Sequence, residues 1–91
     1  MADPNSPQVQ QWRDAVTQAF GPQNADLALW VIAHESGGDP SKPDYAGSGH
    51  NGLFQVAGGS FDPLTNIQQA AAATFPSKLA ADIFLRHYPQ G

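Results

Sequence analysis

The chain has 91 residues, 41% of them hydrophobic and 10% aromatic, enough for one domain around one core and too much for intrinsic disorder. Eight acidic residues against four basic ones give a net charge of −4. The cations Arg13, Lys42, Lys78 and Arg86 are scattered, so no basic stripe offers itself to nucleic acid. The absence of cysteine excludes disulfides, cysteine–zinc centres and thiol nucleophiles.

Residues 1–6 read as a polar tail with neither a basic nor an apolar stretch, so no signal peptide is expected in this chain. Ser6-Pro7 gives an N-cap followed by proline at the first helical position. Val9, Trp12, Val16, Ala19 and Phe20 then recur at helical spacing until Gly21-Pro22, which predicts one helix over 7–20. Asn24 predicts the cap of a second helix over 25–36. Its middle, 27–33, is apolar all round and too short to span a membrane. Gly37-Gly38 ends it.

Residues 37–60 are rich in Gly, Pro, Ser and Asp and lack periodicity, which predicts a long structured loop with a small hairpin near 53–56. A loop of that length in a small domain tends to be functional. Asp62-Pro63 predicts the cap of a third helix over 63–74, with Leu64, Ile67, Ala70 and Ala71 on its apolar face. Pro76-Ser77 resets the chain for a last helix over 77–88, with an apolar stripe of Leu79, Ile83, Phe84 and Tyr88. The expected fold class is mainly α, about four helices around a long central loop or small β-hairpin, in a single domain over 7–91.

Glu35 is the only glutamate among the eight acidic residues. It falls in the last turn of the apolar helix, with Ala28, Val31 and Ile32 on its face. The negative end of the helix dipole and the apolar neighbours both disfavour a carboxylate there, so its pKa is expected to rise, as a general acid requires. A glutamate that merely ends a helix before a glycine loop is the plainer alternative.

The stretch Ile32-Ala33-His34-Glu35-Ser36-Gly37-Gly38, then Gly52-Leu53-Phe54-Gln55-Val56, then Asp62-Pro63 and Asn66-Ile67, resembles the lysozyme-like lytic transglycosylases. The resemblance is closest to their soluble catalytic domain and to the related goose-type lysozymes and resuscitation-promoting factors, and covers about residues 25–73. It implies a lysozyme-like fold and cleavage of the β-1,4 bond between N-acetylmuramic acid and N-acetylglucosamine in peptidoglycan. The glutamate matching Glu35 then acts as acid and afterwards as base, giving a 1,6-anhydro sugar, where most glycosidases use two carboxylates. It also implies that Ser36 sits beside the acid and that Gln55 lines the sugar groove. Tyr45, Ser48, His50 and Asn51 are candidates for the same groove. The chain departs from the family pattern at Ala46, where a serine is common, and lacks the downstream Tyr-Asn-Ala-Gly motif. Related domains often continue into an aromatic-rich segment where this chain stops at Tyr88-Pro89-Gln90-Gly91, as a domain shortened at its C-terminus would.

His34-Glu35 lacks the second histidine of a zinc-protease helix, because Gly38 stands there. His34, His50 and His87 are spread over three elements, so neither metal nor cofactor is expected. Gly58-Gly59-Ser60 has no following lysine and makes no phosphate loop. Of the aspartates, Asp62 reads as a helix cap and Asp39 as a turn residue, which leaves Asp44 as the candidate second carboxylate of a hydrolase. The expected partner is the peptidoglycan glycan strand, met by a monomer in the cell wall, in the periplasm, outside the cell or on a phage virion. A non-catalytic glycan-binding module with the same fold, and a lysozyme-type hydrolase using Asp44, remain the alternatives.

Overall fold

Proline fixes φ at a position that needs no N–H, and Pro7 accordingly starts α1 (Pro7–Gln10). The computed structural model describes residues 3–43, 47 and 49–73. The expected Ser6 cap differs from the one found. Its hydroxyl makes no cap bond, while its carbonyl accepts the N–H groups of Val9 and Gln10 at 3.1 and 2.9 Å. The single helix expected over 7–20 is broken at Gln11 and Trp12, where α2 (Arg13–Phe20) takes over. The Trp12 N–H reaches back only to Val9, at 3.2 Å, and Trp12 leaves helical geometry at φ −93°, ψ 1°. In this position its indole N–H donates to the Gly38 carbonyl at 3.0 Å, a tertiary bond that local periodicity does not encode.

Gly21, at φ 88°, stops α2 as expected, and its N–H closes the last turn onto Thr17 at 2.9 Å. A 3-10 turn over Pro22–Asn24 leads into α3 (Ala25–Glu35). Asn24 does not cap this helix with its side chain, because its amide is spent on the Phe20 carbonyl at 3.0 Å, closing the preceding helix end. The apolar middle of α3 is buried on most sides: Ala25, Ala28, Leu29, Trp30, Ile32 and Ala33 all lie in the interior.

The loop after α3 contains the expected hairpin, formed by β1 (His50–Asn51) and β2 (Val56–Ala57), with His50 opposite Ala57 and Asn51 opposite Val56. Residues 52–55 form its turn, closed by the Gln55 N–H on the Gly52 carbonyl at 3.1 Å. This turn points inward. Leu53 is fully buried, and the Phe54 ring packs 5.3 Å from that of Phe20. Burying Leu53 is worth about 1.5–3 kcal/mol, which ties the hairpin to the helical core.

Asp62 caps α4 (Pro63–Ala73) as expected, accepting the Thr65 N–H at 2.9 Å and the Thr65 hydroxyl at 2.7 Å. The buried face of α4 differs from the expected one. Asn66, Ile67 and Ala70 face the interior, whereas Leu64 is 55% exposed. The core joins Val9, Val16, Phe20, Leu29, Ile32, Leu53 and Ile67, from the four α-helices and the hairpin turn. Among the described residues the protein is therefore mainly helical, with one two-stranded hairpin. No helix among the described residues is long and apolar enough to cross a membrane. The expected helix over 77–88, with Leu79, Ile83, Phe84 and Tyr88, lies outside the described residues, as do Asp44, Tyr45, Ala46 and Ser48.

Candidate active site

Glu35 is the last residue of α3 and is half-buried. One and two turns earlier on its face, Ile32 and Ala28 are fully buried and Val31 half-buried, so the carboxylate stands where the helix leaves the core. Among the described residues no side chain hydrogen-bonds to it or pairs with its charge. The only ion pair described, Arg13 with Asp26 at 2.8 Å, is exposed and worth little to stability.

The chain that leaves Glu35 is pinned at three places. At the first, the Ile32 carbonyl collects the N–H groups of Ser36 and Gly37 at 2.9 and 3.0 Å and the Ser36 hydroxyl at 3.2 Å. The same hydroxyl accepts the Gly38 N–H at 3.3 Å. Ser36 is thus buried beside the acid, with its oxygen committed to the helix end. At the second, Gly38 at φ 89° lies so close to α1 that a Cβ there would sit 2.5 Å from the Gln8 carbonyl oxygen, and its own carbonyl accepts Trp12. At the third, the Lys42 carbonyl accepts the Gly52 N–H and the Gln55 amide Nε2–H, both at 3.0 Å.

Gln55 is the one described non-glycine residue with positive φ, at 51°. Its side-chain amide also donates to the Gly52 carbonyl at 2.9 Å. It joins the hairpin turn to the loop that begins at Ser36. Asn51 is half-buried in β1 and donates to the Gly59 carbonyl at 3.2 Å, so it braces the chain that leaves the hairpin. His34 is exposed, and its ring stacks on that of Trp30 at 5.4 Å and 5°.

Two aspartates that could have served as a second carboxylate are engaged locally. Asp39 accepts the Ser41 hydroxyl at 2.7 Å and the Ser41 N–H at 2.9 Å, and these two bonds hold its pKa below the usual carboxylate range. Asp62 is lowered in the same way by the Thr65 hydroxyl and N–H. Among the described residues no three His, Asp or Glu side chains gather as a metal's ligands would.

The residue that sequence reasoning passed over is Asn66, named only as part of a motif. It is fully buried on α4, and its amide bonds to three backbone groups of the hairpin region. Its signal was the helical spacing of Asn66 with Ile67 and Ala70, a polar side chain on a core face, where polar groups are buried only with partners. Compared with family models, with curated proteins and with solved structures, the chain matches none.

Proposed function

We propose that this protein cleaves the β-1,4 bond between N-acetylmuramic acid and N-acetylglucosamine in peptidoglycan without consuming water, with Glu35 as its acid and base. The supporting observation is the Glu35 carboxylate: half-buried at the end of a core helix, free of competing partners among the described residues, and followed by a loop pinned at Ser36, Gly38 and Lys42. A single catalytic group must reach the leaving oxygen and then a second oxygen of the same sugar. A fixed backbone with unengaged carboxylate oxygens suits that task.

The protonated carboxyl gives its proton to the glycosidic oxygen as the bond to C1 breaks, and positive charge develops on C1 and the ring oxygen. N-acetylglucosamine departs with a free hydroxyl. The Glu35 carboxylate then takes the proton of the muramic C6 hydroxyl, whose oxygen closes on C1. The product is a 1,6-anhydro sugar, and Glu35 is protonated again. The local engagement of Asp39 and Asp62 removes these two as partners of a flanking pair. In this reading Ser36 fixes the end of the acid's helix, and Gln55 borders the groove while holding the loop.

Mass spectrometry of purified peptidoglycan after incubation with the protein and with Glu35→Gln tests the proposal. Anhydro-muropeptides from the wild type alone are expected. Products with reducing ends would make the enzyme a hydrolase and direct attention to Asp44. No cleavage by the folded wild type would leave a glycan-binding module.

A further inference from the structure

We propose that Asn66 is a positioning residue, which sets the loop leaving Glu35 through the hairpin turn and the Lys42 carbonyl. The coupling stands on geometry alone, and its catalytic consequence rests on the function proposed above.

Asn66 is fully buried, and an amide is expensive to bury unless its bonds are made. Here they are. Its Oδ1 accepts the Phe54 N–H at 2.9 Å, and its Nδ2 donates to the Asn51 carbonyl at 2.8 Å and to the Ser60 carbonyl at 2.9 Å. The three partners lie before the turn, within it and beyond the second strand, so one side chain fixes the backbone of the whole hairpin.

The approach is close enough to dictate Gly52 and is tight at Gly59, where a Cβ would first meet Val56 at 2.8 Å. A Cβ at Gly52 would sit 2.5 Å from Asn66 Nδ2, and one at Gly59 would sit 3.0 Å from it. An apolar side chain of similar volume would fill the same space without needing partners. The amide therefore specifies one backbone path.

On its other side the turn holds Lys42. The Gly52 N–H and the Gln55 amide both end on the Lys42 carbonyl, and Gln55 adopts φ 51° in doing so. Lys42 lies seven positions after Glu35 on the pinned loop. A shift of the hairpin on α4 is thus carried to the acid's flank by two hydrogen bonds on one oxygen.

The test is Asn66→Asp, which keeps an acceptor for Phe54 and presents oxygens to the Asn51 and Ser60 carbonyls. Val16→Ala, a fully buried apolar change in α2 that removes none of the hairpin's hydrogen bonds, is the control for general destabilisation. Amide hydrogen exchange is followed by NMR in both full-length proteins. The Gly52 amide, which reports the Lys42 bond directly, is expected to exchange at least about tenfold faster relative to core α3 amides in N66D, and at an unchanged ratio in V16A. On peptidoglycan, kcat is expected to fall by roughly tenfold or more in N66D with KM changed less, because small displacements of a catalytic group are costly. V16A should keep its kcat below its own unfolding temperature. Asn66→Ser, which keeps a hydroxyl and loses the span, carries the same expectations should N66D not fold.

An unchanged Gly52 ratio in the Asn66 variants would overturn the coupling. Faster exchange with undiminished kcat would overturn its role in positioning the acid. An inactive wild type would sink the proposed function and leave the exchange ratio to decide the coupling.

Discussion

Replacing Gly52 by alanine tests the geometry between the hairpin and α4 most directly. Gly52 has φ 79°, a region that costs an L-residue about 1–2 kcal/mol. The new methyl would also stand 2.5 Å from Asn66 Nδ2 and 2.8 Å from the Ser60 carbonyl oxygen, closer than real Cβ contacts occur. Asn66 must then withdraw, and an amide bond lost in the interior costs about 1–3 kcal/mol because a buried group goes unsatisfied. The two effects together come to about 2–5 kcal/mol, a large share of the ~5–15 kcal/mol that holds a typical domain. Gly58 supplies the comparison. It has φ 65°, yet a Cβ there would meet nothing within 4 Å, so Gly58→Ala loses only the conformational part. Thermal unfolding followed by far-ultraviolet circular dichroism should place G52A about 4 °C or more below G58A, taking the additional ~1–3 kcal/mol at roughly 4–8 °C per kcal/mol for a domain of this size. Equal midpoints for the two variants would refute the close packing of the turn against Asn66.

Three further outcomes are expected. Glu35→Gln should abolish peptidoglycan cleavage while its unfolding free energy stays within about 0.5 kcal/mol of the wild type, since no described partner is lost; turnover at the wild-type rate would remove Glu35 from the mechanism. Asp62→Ala should lower the melting temperature at neutral pH by removing the cap of α4. The Asp62 pKa is lowered by folding, so its contribution is present above the ordinary value of 3.8 and is lost as pH falls through the folded value. The gap between D62A and the wild type should therefore close in acid, and a gap that persists there would assign the loss to something other than the ionised cap. Trp12→Phe removes the indole N–H that holds the Gly38 carbonyl and should cost about 0.5–1.5 kcal/mol in urea unfolding with an unchanged slope; no shift in midpoint would mean that the Gly38 loop is held without it.

Elements whose signals are local were legible in the sequence. The stop at Gly21, the all-round apolar character of α3, the Asp62-Pro63 start of α4 and the place of the hairpin each depend on residues within a few positions. Features that depend on distant carbonyls were not. The break at Trp12 goes with a bond to Gly38, and the inward face of α4 goes with the bonds of Asn66 to the hairpin. The candidate site divides in the same way. Glu35 could be found because one carboxylate at the end of an apolar helix is visible in the chain itself. The commitment of Gln55 could not, since the oxygen it serves belongs to Lys42 and becomes a partner only when the chain closes.

The way the chain holds the acid follows from its size. A long loop rich in Gly, Pro and Ser has little apolar surface with which to anchor itself, so its position must come from its own polar backbone. Each anchor found is of that kind: the Ile32 carbonyl gathers three donors, the Gly38 carbonyl takes the Trp12 indole and the Lys42 carbonyl takes two donors from the hairpin. Such bonds contribute only about 1 kcal/mol each to stability, but they are directional, and a carbonyl with two donors has little freedom to turn. The apolar contacts of Leu53 and Phe54 then act at one remove. They seat the hairpin on the core, and the hairpin holds the loop. Core substitutions that leave the hairpin seated should therefore lower stability and spare the site, whereas loss of a polar anchor should disturb the site at little cost to stability. The comparison of V16A with N66D separates these two effects.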